Sequence, residues 1–290
     1  MSASCLTRQQ TPAEIKALED LRVMTRGGVL PAEDIVARLE SAFPRTKTAA
    51  LARMVRARIK IRANDFAAAA ALLDADAIRD HTSIGDYALF MRANAFEKAG
   101  RLPEARIVYE QLTRDYPSSI RAREAILRDA DLLMRTGAAS AVPTLLKELA
   151  KKDDATALLL TAKAFTQAAD SARALVAYRR IYFFAPASAE STQAAIVIPQ
   201  LNGTVLPFTA DEAVARAEKL YDAKKYDEAL QAYTDALMRF PVLTNPQNQL
   251  RRGISASNVG KTMDAVTALD AVPSSAGETR AEALQYLAIT

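Results

Sequence analysis

The sequence predicts an all-α protein: a right-handed α-solenoid of about seven helical hairpins. Three observations lead there. Half of the 290 residues are hydrophobic, with alanine the dominant apolar type, and Val, Ile and Thr never gather in alternating runs of strand length. Glycine is scarce, at 9 residues, and tryptophan is absent. Apolar residues recur at spacings of three and four, and that pattern itself repeats along the chain. Helix-on-helix packing asks for this composition, because small side chains let helices approach and good helix formers cost little to order.

The repeating frame is clearest from Tyr87 to Pro117. A stripe of Leu89, Ala93 and Phe96 marks one helix face, and Gly100-Arg101 breaks that helix. A second stripe of Leu102, Ala105, Tyr109 and Leu112 follows, and Pro117 closes the unit. Glycine supplies the left-handed conformation that ends a helix, and proline is excluded from a helix interior. The frame returns from Ile126 with a turn at Gly137, from Leu158 with a turn at Ala169, from Ala213 with a turn at Lys224, and around Gly253 with a turn at Gly260. Two weaker copies open the chain, turning at Gly27 and Asn64. Successive turns are 37, 36, 37, 32, 55 and 36 residues apart. Six of the seven hairpins fit a unit of about 34 to 37 residues, the tetratricopeptide period, so the hairpins are expected to be tetratricopeptide-like. In each, a small residue of the first helix (Ala93, Ala130, Ala162, Ala217, Gly253) is expected to face a small residue of the second (Ala105, Ala174, Ala229, Ala265).

The 55-residue interval holds an insertion. Ala187 to Val197 reads as an extra helical segment, and Ile198 to Pro207 as a loop. Thr209 is then an N-cap, with Glu212 three residues on completing a capping box. The expected organisation is a solenoid over residues 1–198, a loop or bend over 199–210, and a continuation of the solenoid over 211–290.

The charged residues are 38 Lys+Arg against 34 Asp+Glu, and the basic ones are scattered over helix faces. No basic stripe is interleaved with aromatics, so nucleic acid is not an expected partner. The single cysteine, Cys5, excludes an internal disulfide. No apolar run approaches the roughly 18 residues of a membrane span. The N-terminus carries no signal-peptide pattern; Ala3-Ser4-Cys5 faintly resembles the end of a lipoprotein cleavage box, with Ser2 where Leu is usual. The only histidine, His81, lacks partners spaced for a hydrolase triad or a helical zinc site. Gly260-Lys261-Thr262 looks like the end of a phosphate-binding loop, but Ser255 stands where that motif needs its first glycine, and a helix rather than a strand precedes it. No catalytic residue, metal ligand or cofactor is assigned.

Several segments carry a resemblance. They are Tyr178 to Glu190, the Asn202-Gly203 loop with Thr209-Ala210-Asp211-Glu212, Arg216 to Leu220, Tyr226 to Leu230, and Tyr87 to Ser119. Together, over roughly residues 87–240, they resemble the superhelical part of bacterial soluble lytic transglycosylases. In that family an arc of helical hairpins precedes a lysozyme-like domain. That domain cleaves peptidoglycan with one glutamate, in a Glu-Ser motif, and a Gly-Leu-Met-Gln-like motif follows. The resemblance implies a periplasmic, non-catalytic region that positions murein, in a chain that ends at Thr290 before any such domain. Glu40-Ser41-Ala42-Phe43 matches the short motif, but it closes a repeat at Pro44 and no Gly-Leu-Met-Gln follows, so it is read as non-catalytic. Ala105 to Ser119 also resembles tetratricopeptide proteins of outer-membrane assembly and cell division. The alternative is therefore a protein-interaction module, of that type or a cytoplasmic adaptor.

Groove-facing positions in this repeat class lie on the first helix, off its packing stripe. They are Asn94 and Lys98, Asp131 and Arg135, and Lys163 and Gln167. Stacking is expected to align them into a polar row, in which Lys98, Arg135 and Lys163 meet the carboxylates of peptide stems or of an acidic partner segment.

Overall fold

The computed structural model describes residues 10–73 and 75–290; Cys5 lies outside them. Among the described residues every regular element is helical. The chain divides into two compact units, one ending at Thr136 and one spanning Gly137–Thr290.

The first unit contains α1 (Pro12–Met24), α2 (Glu33–Ala42), α3 (Lys47–Arg62), α4 (Phe66–Leu72), α5 (Ala75–Arg79), α6 (Gly85–Lys98), α7 (Leu102–Asp115) and α8 (Ala122–Arg135). Most pack on a neighbour in sequence, α2 on α3, α3 on α4, α6 on α7 and α7 on α8, while α1 packs on α3 and α4 also on α6. The stripe Leu89, Ala93 and Phe96 of α6 meets Ala105, Tyr109 and Leu112 of α7, with Ala125 and Leu132 of α8 closing the core.

The second unit contains α9 (Val142–Leu145), α10 (Lys147–Lys151), α11 (Ala155–Gln167), α12 (Ser171–Phe184), α13 (Ala189–Gln200), α14 (Ala210–Asp222), α15 (Tyr226–Arg239), α16 (Pro246–Asn258), α17 (Thr262–Asp270) and α18 (Glu278–Ile289). Here α11 packs on α12, α12 on α13, α14 on α15, and α16 on α17 and α18.

All seven turns read from the sequence are left-handed. Gly27, Gly100, Gly137 and Gly260 have φ of 68°, 76°, 81° and 73°, and Asn64, Ala169 and Lys224 adopt 59°, 57° and 58°. Five close with the same bond, in which the N–H after the turn residue returns to the carbonyl five residues back. These are Asp65 to Lys60, Arg101 to Phe96, Asp170 to Phe165, Lys225 to Leu220 and Lys261 to Ala256, all at 2.9 Å. This Schellman geometry satisfies otherwise orphaned carbonyls, which lets three turns hold without glycine.

The eight alanines placed at hairpin contacts (Ala93, Ala105, Ala130, Ala162, Ala174, Ala217, Ala229, Ala265) are all fully buried. Gly253 departs from the expectation. A Cβ added there would lie 2.5 Å from Leu269 Cγ, so Gly253 accommodates a leucine of α17 rather than Ala265. The repeat also sets long-range polar contacts. Ser119 donates to Asp86, Thr156 to Glu190, Arg179 to Glu212, Arg216 to the Tyr182 carbonyl and Arg251 to Glu218, each 33 or 34 residues apart.

Three local expectations are corrected. The insertion helix α13 runs to Gln200, through Pro199, and the loop begins only at Leu201. Its end is set by Asn202 at φ 57° and the Gly203 N–H returning to the Ile198 carbonyl at 2.9 Å, not by the proline. The stripe Val142, Leu146 and Leu149 does not form one second helix. A 3-10 turn at Ala139–Ala141 precedes α9, and the backbone bends at Leu146 before α10 (φ −89°, ψ 1°), while Val142 and Leu146 stay fully buried. At Thr209 only half of the capping box forms. Thr209 Oγ1 accepts from the Glu212 N–H at 3.2 Å, but the Glu212 carboxylate accepts from the Phe208 N–H at 2.7 Å. A reciprocal box forms instead at Thr11 and Glu14, where α1 begins.

Candidate functional site

The short motifs that resemble catalytic ones serve packing. Glu40, at the end of α2, accepts from Arg53 Nε at 2.8 Å and Arg56 Nη1 at 2.7 Å, both on α3. Its two oxygens are thus each held by a guanidinium, and the residue bonds α2 to α3. His81, between α5 and α6, lines a cleft together with Glu40, Arg45 and Asp80. Gly260 is the left-handed turn before α17, and Lys261 Nζ reaches Asp227 at 3.3 Å rather than facing an open phosphate cradle. Among the described residues no helix is long and apolar enough to cross a membrane, and no group of three His, Cys, Asp or Glu side chains is placed to hold a metal.

In the first unit, three of the six predicted groove residues, Asn94, Asp131 and Arg135, are linked to one acidic side chain, Glu97. Glu97 of α6 receives Arg135 Nη1 at 3.1 Å, with Arg128 at 3.8 Å. Tyr109, fully buried in α7, donates its hydroxyl to Asn94 Oδ1 at 3.2 Å and approaches Glu97 at 3.4 Å. Burial pushes the Tyr109 phenol well above its ordinary pKa, and the neighbouring Glu97 charge adds to that. Asn94 also donates to the Phe90 carbonyl at 2.9 Å, and Asp131 lies 3.6 Å from Arg135. Asn94, Asp131 and Arg135 are therefore engaged within the repeat. Lys98 is exposed, with its ammonium 5.5 Å from the Phe66 ring centroid. In the second unit, Lys163 and Gln167 are both exposed on α11. Lys98 and Lys163 thus remain as cations with no ion pair among the described residues.

The sequence reading passed over Arg179 and Arg216. Arg179 is 6 % exposed and holds the loop before α14. It donates to the carbonyls of Thr204 and, at 3.2 Å, Leu206, and to Glu212 at 2.6 Å, while its guanidinium stacks 3.6 Å from the Phe208 ring centroid. The available signal was its position four residues before Phe183 and four after Leu175, on the face that the helical period buries. Arg216 packs 3.8 Å from the Tyr182 ring centroid and donates to the Tyr182 carbonyl at 2.6 Å. Nothing local in its stretch of sequence announces either contact.

Comparison with known proteins agrees with the repeat. A tetratricopeptide repeat family model matches residues 54–120, which span α6 and α7 and their surroundings. The chain carries tetratricopeptide-like helical repeats. Among solved structures, a tetratricopeptide repeat protein from Parabacteroides merdae is 15 % identical, with 83 % of this chain and 98 % of that one covered, at a TM-score of 0.43. The TPR2AB-domain:pHSP90 complex of yeast Sti1 is 16 % identical, with 95 % and 97 % covered, at a TM-score of 0.32. No curated protein matches the sequence.

Proposed function

We propose that the chain is a non-catalytic interaction scaffold whose first-helix faces, each within its own unit, hold acidic, extended segments of a partner protein. The observation that carries this reading is the contrast among the predicted cations. Arg135 is neutralised by Glu97 and Asp131, whereas Lys98 and Lys163 are exposed on first helices without an ion pair among the described residues. An exposed lysine on a rigid helix offers a carboxylate charge-assisted hydrogen bonds that salt weakens. The test is fluorescence anisotropy with a labelled Glu-rich peptide against wild type and Lys98→Ala/Lys163→Ala. Weaker binding by the double variant and a loss of affinity with added salt are expected. Equal binding by both proteins at every salt concentration refutes the reading.

A narrower reading places murein on the same faces, supported by the resemblance of roughly residues 87–240 to the superhelical part of soluble lytic transglycosylases. Purified sacculi form the second arm of the experiment. Retention of wild type but not of the double variant supports murein as the ligand, and no retention of either removes it. No cleavage of the sacculi by this chain is expected; cleavage abolished by Glu40→Gln would overturn the reading of Glu40 as a packing residue.

A further inference from the structure

The first unit holds a cleft away from the first-helix faces, where the end of α2 and the turn into α3 meet the end of α5. It offers about 560 Å³. Small ligands occupy pockets of about 300–1,000 Å³, so there is room for a charged group and the residue or alcohol that carries it.

Its basic lining is largely unengaged. Arg53 of α3 is held by one atom, its Nε donating to Glu40 Oε1 at 2.8 Å, and its two terminal amino groups bond no other described residue. Arg45, in the turn before α3, is exposed and has no ion pair among the described residues. The side chains of His81 and Ser41 line the same cleft and make no hydrogen bond to another described residue. Arginine, imidazolium and hydroxyl are all donors, so the open groups of the cleft ask for an acceptor.

The carboxylates at the cleft are already matched. Glu40 is shared between Arg53 and Arg56, and Asp80 lies 3.6 Å from Arg79. Behind them, Glu33 is held by Lys60 and Arg56, and Asp76 by Arg79. Every other cation of this network therefore has a carboxylate, and the open charges are those of Arg45 and, when protonated, His81. Together they match a dianion. Donors on Arg45, Arg53, His81 and Ser41 also suit a tetrahedral oxyanion, whose oxygens spread in four directions, better than a planar carboxylate.

The cleft is prepared for such a group. The Glu40 side chain is only 13 % exposed and clamps Arg53 from behind, so the guanidinium loses little freedom on meeting a ligand. The Glu40-Ser41 pair, which resembles a catalytic motif, thereby acquires a different part: Glu40 orients Arg53, and Ser41 offers a hydroxyl.

We propose that this cleft binds a phosphoryl dianion. Arg45 and the terminal amino groups of Arg53 take its oxygens, Ser41 donates to it, and protonated His81 completes the charge match. Glu40 is a positioning residue. The site shares no residue with the faces of α6, α8 and α11, so it stands independently of the function proposed above.

The test follows the imidazole Cε1–H signal of His81, which needs no assignment because the chain has one histidine. At constant ionic strength the protein is titrated with inorganic phosphate, glycerol 3-phosphate, acetyl-Ala-phosphoserine-Ala-amide and, as control, acetate. The signal should move with phosphoryl probes and not with acetate. Response to all three assigns the site to the phosphoryl group itself, and response to one names its carrier; both support the proposal. Arg45→Gln should weaken binding about tenfold. Sulfate stays doubly charged across the range in which histidine titrates, so it isolates the protein's own protonation. It should bind severalfold more tightly at about pH 5.5 than at about pH 8, because a dianion favours the protonated imidazole. Arginines and carboxylates ordinarily titrate outside that window, so the difference should vanish in His81→Gln, measured by calorimetry. Neither Arg45 nor His81 bonds another described residue through its side chain, so both variants leave the fold intact. The proposal is overturned by no response to any phosphoryl probe, by an equal response to acetate, or by unchanged affinity in Arg45→Gln. A pH dependence absent from wild type, or retained by His81→Gln, overturns it too.

Discussion

Replacing Gly253 with alanine probes the hairpin geometry directly, because two terms of known size oppose each other there. In a helix interior alanine is favoured over glycine by about 0.8–1.0 kcal/mol. Against this, the added Cβ would meet Leu269 at Cγ (2.5 Å), Cδ2 (2.7 Å) and backbone N (3.2 Å). Carbon–carbon contacts settle at about 3.5–4.0 Å, so the overlap is on the order of 1 Å. Leu269 is fully buried, and the clash falls on its branch point and its backbone nitrogen, so relief requires a χ1 change for which the packed core leaves no room, or a backbone shift. Overpacking of this kind costs about 1–3 kcal/mol, and more where the backbone must shift, so Gly253→Ala should be destabilising by about 1–2 kcal/mol net. The assay is urea unfolding followed by far-ultraviolet circular dichroism, read as a shift of midpoint at constant slope. Leu269→Ala alone should cost about 2–5 kcal/mol as a buried truncation. The double variant should cost less than the two singles together by about 1–3 kcal/mol, because the new methyl occupies space that the leucine vacates. A Gly253→Ala protein as stable as wild type, or strictly additive effects, would refute this account of the α16–α17 contact.

Other perturbations test separate elements. Ala217→Leu and Ala229→Leu, at fully buried positions of α14 and α15, should each lower stability by about 1–3 kcal/mol, and an unchanged melting temperature in both contradicts the frame of that hairpin. Gly100→Ala should cost about 1 kcal/mol through the backbone alone, since φ is 76° and nothing lies within 4 Å of the added Cβ; Ala169→Gly, at φ 57°, should be neutral to slightly stabilising. Asp129 is 3 % exposed, and burial raises its pKa although Arg106 Nε lies 2.7 Å away. A carboxyl raised in the folded state holds its proton more tightly folded than unfolded, so its contribution to stability falls as pH rises from its unfolded value to its folded one. The stability of wild type relative to Asp129→Asn should therefore improve on going from pH 7 to pH 4; a change of the opposite sign in paired urea titrations contradicts this.

The turns were legible because their signal is local. Gly100 and Gly260 announce left-handed conformations by residue type, and Ala169 and Lys224 do so only through their place in the repeat, yet all adopt it. The buried alanines were equally legible, because helical period and repeat length together specify which face meets which neighbour. The end of α13 was misread because proline is a strong local signal, whereas the bond that ends the helix comes from Gly203. For the candidate sites the sequence settles less: Lys98 and Lys163 are exposed, while Arg135 finds Glu97, which lies 38 residues earlier and is announced by no motif.

By itself, then, the sequence determined an all-helical chain of tetratricopeptide-like hairpins, the residues that turn them and the small residues that let them close. Those properties rest on backbone propensity and on a periodic burial pattern, both written within a few dozen consecutive residues. Tertiary structure alone decided how the long cations are satisfied: Arg179 by Glu212 and the loop carbonyls, Arg135 by Glu97, and Arg216 by the Tyr182 carbonyl, with no carboxylate within ion-pair distance among the described residues. The repeat brings side chains one period apart within reach, but the pairing depends on which flexible arm lands beside which carboxylate, and that is settled only when neighbouring hairpins pack.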